Sequence, residues 1–440
     1  MTATRALAAG RFPVRRDVDG DFTPAQILAA LPGAPRDGRP VPLTGVAESA
    51  HAARLWLPAE ATERALPSGP PVPLLPDHGQ TPALARDVDL LHRFETAPLW
   101  RPPVEEHTRA LSPRVAGAWL TLADHWIGLS HVSDDLRFLN GACKLLGTVW
   151  TRHSADHWND PDLTTRTAAT AALLDGACTQ LSARLSDRVL PPGPATVPGD
   201  RQPPDRPATN GRIKTVVLAG LGSASPAAFL TTARTLGAEV SAVCWYAQPG
   251  DTAAPSGYSA AWYPPEPAPR RRAAQDVTSS TAHCTDWDQV ESVLARWEPD
   301  VLVLLGMPIV PAAILTIPTL ATINAHNGAL PTYRGMDAVG WALLNNDPIT
   351  CTVHRVTAGV DTGPVLLTQA VPLSPRPTLR QRVKSTQLTL LAAVTAHTAT
   401  AHRLPDGISQ PPDLARQFYR LHPHLKRILD ASPYGTGGTR

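Results

Sequence analysis

From residue 212 onward the chain alternates short apolar runs with helical patterns, and this alternation constrains its fold more than any other feature. The apolar runs, which predict strands, are Thr215–Ala219, Val240–Trp245, Val301–Leu305 and Leu320–Ile323. Amphipathic helical patterns at 227–236 and 287–297 separate them. Strands that alternate with helices form a largely parallel sheet with helices on both faces. Residues 212–400 are therefore predicted to form an α/β domain.

A helical pattern occupies the preceding segment, residues 86–190. Ser112, Ser133 and Asp160 precede three apolar stripes, and these residue types are common helix N-caps. Trp119 and Trp126 recur at helical spacing in the first stripe, which favours a place in a core. The segment is predicted to be an all-α domain.

Three further segments lack such periodicity. Residues 1–85 are rich in Ala, Pro, Arg and Gly, and we expect an irregular extension there. Residues 191–211 are dense in proline, which removes backbone donors and stiffens the chain, so they are predicted to be a linker between domains. Residues 401–440 are predicted to be a C-terminal tail.

Composition limits the partners and the compartment. The 440 residues carry a formal net charge of +2 and no long Lys/Arg run, so we expect no nucleic-acid partner. The five cysteines are scattered without a CxxC pair, which favours a reducing compartment, and the histidines lack metal-ligand spacing. No apolar run approaches membrane-spanning length. We therefore expect a cytoplasmic protein without a metal site or membrane partner, and leave a homo-oligomer open.

Polar side chains follow the fourth predicted strand in the stretch INAHNGALPTYRG, residues 323–335. Asn324 and His326 are two residues apart, so in an extended backbone they lie on the same face. Ligands bind at the carboxyl ends of parallel strands. An amide donor and an imidazole directed at one point suit a developing negative charge on oxygen. Asp361, in the loop AGVDTG, is a candidate carboxylate to orient that imidazole.

The ordered series NAHNGALPTYRG, WALLNND, TVHRV and AGVDTGPVL resembles the formyltransferase family, over about residues 212 to 400. The resemblance implies a Rossmann-like, mostly parallel sheet, preceded here by the all-α domain. It also implies transfer of a one-carbon group from 10-formyltetrahydrofolate to an amine. Asn324, His326 and Asp361 match the family's catalytic trio. Asn324 and His326 are implied to meet the oxyanion, and Asp361 the imidazolium and the proton that leaves the amine.

The resemblance also implies a folate pocket. The segment PDVLVLLGMPIVPAAIL, residues 299–315, matches the part of the family that lines the pterin. The implied lining positions are Met307, Pro308, Ile309, Val310 and Ile314 on one wall, with Gly359 and Val360 on the opposite wall.

Two features depart from the family pattern or suggest another reading. Gly328 stands where the family usually has Ser, which we expect to loosen the loop beside the site. Gly220-Leu-Gly-Ser-Ala-Ser invites a dinucleotide-binding interpretation, but Glu239 falls at the start of the second strand rather than at its far end. A turn near the acceptor or the folate mouth is the preferred interpretation of that loop.

The sequence therefore predicts an N-formyltransferase that acts on a small-molecule amine, with a role in specialised-metabolite biosynthesis as the narrower expectation. A formyltetrahydrofolate hydrolase and a methionyl-tRNA formyltransferase-like enzyme are the alternatives. His354, in the strand TVHRV, is expected to support packing or the loop rather than to transfer protons.

Overall fold

The computed structural model describes residues 87–88, 91–92, 113–152, 160–186, 212–221, 225–247, 280–372 and 379–431. These residues group into two compact units, one from the described parts of 87–186 and 420–431 and the other from those of 212–419. The predicted extension 1–85 and the predicted linker 191–211 lie outside the described residues. The domain limits inferred from the sequence stay predictions.

Nine α-helices and nine strands follow one another along the described residues. The helices are α1 Pro113–Val132, α2 Leu136–Arg152, α3 Pro161–Ser186, α4 Ser225–Thr235, α5 Trp287–Trp297, α6 Ala312–Leu315, α7 Ala338–Asn345, α8 Leu379–Ala401 and α9 Pro423–Ala431. The strands are β1 Thr215–Gly220, β2 Ala242–Tyr246, β3 Thr281–Cys284, β4 Val301–Leu305, β5 Ala321–His326, β6 Arg334–Gly335, β7 Thr350–Arg355, β8 Val365–Ala370 and β9 Gln417–Phe418. A short 3-10 helix spans Pro412–Leu414.

Helices α1, α2, α3 and α9 make up the helical unit. Asp160 caps α3 as its sequence predicts, because Oδ1 accepts hydrogen bonds from the backbone N–H of Leu163 at 3.0 Å and of Asp162 at 3.0 Å. Trp119 and Trp126 of α1 are buried, which agrees with the core position that their spacing favours. The part of the predicted tail that joins this unit is α9.

The second unit is built on a seven-stranded sheet with the order β3-β2-β1-β4-β5-β7-β8. The first five of these strands pair in parallel, whereas β7 is antiparallel to both β5 and β8. Helix α5 buries Val290 and Leu294 against one set of strand residues, and α8 packs on β5, β7 and β8. The predicted mostly parallel α/β fold is confirmed.

Pairing between strands explains where the observed strand ends differ from the predicted ones. β2 begins at Ala242 rather than Val240, because Ala242 is the residue that lies opposite Val216 of β1. β5 continues past Ile323 to His326, because β7 provides a partner for the additional residues. This extension places Asn324 opposite His354 and His326 opposite Thr352.

Candidate active site

The carboxylate of Asp361 lies between two imidazole rings. His326 Nδ1 is 3.5 Å from Asp361 Oδ2, and His354 Nε2 is 3.4 Å from Asp361 Oδ1. All three side chains are largely buried, with exposed fractions of 7% for His326, 2% for His354 and 12% for Asp361. Strands β5 and β7 and the loop before β8 each supply one member of this His–Asp–His cluster.

The second nitrogen of each imidazole faces a backbone carbonyl. His326 Nε2 lies 2.6 Å from the oxygen of Tyr333, and His354 Nδ1 lies 2.8 Å from the oxygen of Arg355. A carbonyl oxygen can only accept a hydrogen bond, so these nitrogens carry the proton when the rings are neutral. The nitrogens that face Asp361 are therefore the ones that gain and lose a proton. Protonation there turns a contact between a lone pair and a carboxylate into a charge-assisted hydrogen bond.

Burial and charge act in opposite directions on the titrating groups. Burial lowers the pKa of His326, and the nearby Asp361 charge and the Tyr333 carbonyl only partly offset this. Burial alone would raise the pKa of Asp361, but when the imidazoles are protonated a hydrogen bond from His354 and the charges of both rings lower it to about 2. Asp361 is consequently a carboxylate at neutral pH.

The backbone around Asp361 is also constrained. Its φ angle of 53° lies in the left-handed region, which aspartate tolerates better than most residues. The backbone N–H of Gly335 donates to Asp361 Oδ2 at 2.8 Å, so β6 fixes one carboxylate oxygen.

An open cleft of about 170 Å³ lies beside this cluster. Asn324, His354 and Asp361 line it, as do six of the seven positions implied for the folate: Met307, Pro308, Ile309, Val310, Gly359 and Val360. Among the described residues the side-chain amide of Asn324 makes no hydrogen bond, so its N–H groups can donate to a molecule in the cleft. Residues implied for both walls of the folate pocket thus lie beside one cleft, and their role in folate binding stays a prediction.

Two predicted site residues do not line the cleft. Ile314 is only 1% exposed and packs in the hydrophobic core with Leu302 and Leu304, because the short helix α6 turns it toward the sheet. This position was predicted wrongly from the sequence. His326 also lies outside the lining and reaches the cleft only through its contact with Asp361.

His354, expected from the sequence to support packing or the loop, belongs to the cluster itself. It lines the cleft and contacts Asp361 directly, so it does more than fill space in the sheet. The signal was present in the alternation along TVHRV, which places His354 on the face of β7 that pairs beside Asn324. Five further lining residues were not predicted: Leu304, Leu315, Val356, Thr357 and Ala358.

Gly328 is crowded rather than loose. A Cβ atom at this position would lie 2.7 Å from His326 Nε2, 2.7 Å from the Tyr333 oxygen and 2.7 Å from Ala338 Cβ. The expectation that glycine loosens this loop was therefore wrong, because the missing side chain is the space in which His326 meets Tyr333.

No group of three or more His, Cys, Asp or Glu side chains in the described part of the chain is arranged to hold a metal ion. None of the helices that the structure describes is long and apolar enough to span a membrane.

Residues 213–395 match the family model described as formyl transferase. The matched part of the chain contains the whole His–Asp–His cluster and both walls of the cleft, and it is similar to the formyl transferase family.

Individual relatives are similar over shorter stretches. A methionyl-tRNA formyltransferase of Chlorobium limicola is 32% identical over 113 residues, which are 25% of this chain and 36% of that protein. A phosphoribosylglycinamide formyltransferase of Mycobacterium tuberculosis is 38% identical over 120 residues, 26% of this chain and 56% of that protein. The solved structure of glycinamide ribonucleotide transformylase 1 from Symbiobacterium toebii is similar at 23% identity and a TM-score of 0.35, covering 46% of this chain and 99% of that one. The chain thus spans between about a third and about half of the length of these two curated relatives.

Proposed function

We propose that the α/β unit transfers a formyl group from 10-formyltetrahydrofolate to an amine. The observation that carries this proposal is the Asp361 carboxylate, held between two imidazoles at the edge of a cleft in the part of the chain that is similar to the formyl transferase family. The arrangement provides a donor amide, a proton acceptor and a binding cleft within one site.

The lining of the cleft fits a folate donor. Ile309 is 79% exposed and Val360 is 42% exposed, and both belong to the lining, where they offer apolar surface to a flat ring. The irregular backbone of 306–310 and 357–361 can offer N–H and C=O groups to the polar edge of a pterin. In this proposal the formyl donor supplies the carbon that is transferred, and the protein supplies position and charge.

Each polar residue then has a defined task. Asn324 donates its amide N–H to the formyl oxygen as negative charge grows there. The nitrogens of His326 and His354 that face Asp361 are the places where a proton from the attacking amine can be held. The ionised carboxylate of Asp361 stabilises the imidazolium that results. The bond that forms joins the amine nitrogen to the formyl carbon, and the bond that breaks joins that carbon to the folate nitrogen, which takes up a proton.

The acceptor is proposed to be a small-molecule amine. Support comes from the similarity to a phosphoribosylglycinamide formyltransferase, whose name denotes a small-molecule acceptor. The similarity to methionyl-tRNA formyltransferases supports a second candidate, an amine attached to tRNA. The narrower expectation of a specialised metabolite stays a prediction from the sequence.

Incubation of the full chain with 10-formyltetrahydrofolate and separate pools of amines tests the proposal. The pools contain amino sugars, amino acids, glycinamide ribonucleotide or methionyl-tRNA, and mass spectrometry detects an added formyl group. A formylated small molecule together with released tetrahydrofolate is the expected result. Formylation of methionyl-tRNA alone would favour the second candidate, and free formate without any formylated amine would indicate a hydrolase. A protein that neither binds the folate nor releases a formyl group would contradict the proposed function.

A further inference from the structure

Gln410 is not one of the predicted site residues, but its side chain contacts the loop that carries Asp361. The Nε2 group donates to the backbone oxygen of Asp361 at 2.8 Å and to that of Gly363 at 2.6 Å. These two carbonyls belong to Asp361, which adopts a positive φ, and to the second residue after it. Both amide hydrogens are therefore used to hold one short stretch of backbone.

The other end of the same amide is fixed by a buried cation. Arg334 donates to Gln410 Oε1 through Nε at 3.0 Å and through Nη2 at 2.8 Å. Because guanidinium groups only donate and carbonyls only accept, these partners allow a single orientation of the amide. Arg334 begins β6, and the next residue, Gly335, donates its own N–H to Asp361 Oδ2.

The backbone on which Gln410 sits is anchored as well. Ile408 forms two backbone hydrogen bonds with Val365, both of 2.8 Å, at the start of β8. Further along, β9 pairs with β6. Residues 408–418 thus pair with the start of β8, which follows the Asp361 loop, and with β6, which donates a hydrogen bond to the Asp361 carboxylate.

We propose that Gln410 is a positioning residue, which holds the Asp361 carboxylate against its two imidazole partners. Without the amide, residues 408–418 no longer hold the left-handed turn at Asp361 or the distance between this turn and β6. The expected effect of a Gln410 substitution on kcat rests on the proposed formyl transfer. The expected effect on the pKa of His326 does not.

Replacement by methionine, Gln410→Met, keeps the size of the side chain and removes both donors and the acceptor. The ionisable groups that act on His326 are Asp361 and His354. The charge of Arg334 interacts in turn with Asp361. Since the Asp361 charge raises the pKa of His326, a displaced carboxylate should lower that pKa further. NMR titration of ligand-free, ¹⁵N-histidine-labelled protein measures this shift, with the signals assigned from His326→Ala and His354→Ala. If the formyl transfer is established, kcat should fall about 10- to 100-fold, with a smaller change in KM for the donor.

Gln289→Met is the matched control. It makes the same chemical change at the start of α5, where Gln289 Nε2 donates to Asp286 Oδ2 at 2.6 Å, on the edge of the sheet that carries β3. This variant should leave the His326 titration unchanged. Gln410→Asn, which keeps the amide on a shorter side chain, replaces Gln410→Met if the latter does not fold.

A folded Gln410 variant with a wild-type His326 titration would overturn the proposal, even if its thermal stability fell. Such a result would make Gln410 a structural residue only. If the wild-type chain transfers no formyl group, the titration still decides whether Gln410 positions Asp361, so the two proposals fail separately.

Discussion

The two nitrogens that face Asp361 are the points at which this cluster can take up a proton. Both rings are tied to backbone carbonyls through their other nitrogen, so neither ring can turn without losing a hydrogen bond. The cluster therefore holds its geometry before any ligand arrives, which is the condition for efficient electrostatic stabilisation.

His326→Ala should lower kcat by roughly 100-fold or more, because it removes one of the two sites that hold the proton. The affinity for the folate donor should change far less, since His326 does not line the cleft. Steady-state kinetics together with equilibrium binding of the donor separates the two quantities. His283→Ala, on the edge strand β3, is the control and should retain both. Near-wild-type turnover of His326→Ala would remove this residue from the mechanism.

Asp361 should remain ionised at pH 4, because its pKa is lowered to about 2. A carboxyl whose pKa is depressed by folding stabilises the folded state above its ordinary pKa, and this contribution is lost as the pH falls toward 2. The ¹³C shift of the labelled carboxyl, assigned by its absence in Asp361→Asn, reports the titration. A midpoint at or above pH 4 would show that the imidazoles do not stabilise the charge.

The sequence allowed Asn324, Asp361 and six lining residues to be placed beside one cleft, because motifs at strand ends and in Gly-flanked loops are local. It did not allow Ile314 to be placed, since the direction in which a four-residue helix turns a side chain depends on the sheet beneath it. Gln410 could not be found either, because its partners are 47 to 76 residues away along the chain.

Strands and helices of the α/β unit were predictable where apolar runs are long and buried. Helix α5 and strand β4 have the bounds that their patterns predict. β3 was not predicted, because it has four residues, lies at the edge of the sheet and buries only Cys284 fully. β7 overlaps the strand TVHRV that the sequence indicates, whereas its antiparallel pairing with β5 and β8 was not predicted, because strand direction depends on the sheet rather than on local pattern.

A substitution of Gly328, in the turn between β5 and β6, tests whether this turn accepts a side chain. Gly328→Ser introduces the residue that the family usually has, but its Cβ would collide with the contact between His326 and Tyr333. We expect a loss of about 1–3 kcal/mol in the free energy of unfolding and a lower kcat. Thermal unfolding and steady-state kinetics measure these effects.

Gly176→Ser in α3 is the matched control, because nothing lies within 4 Å of a Cβ atom there. It should be neutral or slightly stabilising, since serine is a better helix former than glycine. A Gly328→Ser variant as stable and as active as the wild type would show that the loop relaxes freely.

The order of the two units along the chain has a consequence for any attempt to separate them. The chain returns to the helical unit after Tyr419, where the Asn140 side chain donates to the Arg420 oxygen at 3.2 Å and accepts from the His422 N–H at 2.6 Å. Leu421, Leu425 and Leu429 are buried in the same unit. The helical unit is thus completed by residues from the far end of the chain.

Cleavage at a protease site introduced within 191–211 should therefore leave the two pieces associated under native conditions. The burial of three leucines, at roughly 1.5–3 kcal/mol each, holds them together. Size-exclusion chromatography of the cleaved chain tests this. The same chain ending at Tyr419 lacks α9 and is the control, in which a smaller fraction of the two pieces should elute together. Separate elution of the cleaved pieces that retain residues 420–431 would contradict the assignment of α9 to the helical unit.

The central claim, that the Asp361 cluster drives formyl transfer, is tested most directly by following a ¹³C-labelled formyl group from 10-formyltetrahydrofolate under single-turnover conditions. Wild type, Asp361→Asn and Asp300→Asn are compared with the accepted amine. Asp300 caps the opposite end of the sheet, where Oδ2 accepts from the Lys214 N–H at 2.7 Å, so its variant should transfer the label at the wild-type rate. Asp361→Asn is expected still to bind the folate but to transfer the label roughly 100- to 10,000-fold more slowly. Transfer by Asp361→Asn at the wild-type rate would contradict the central claim.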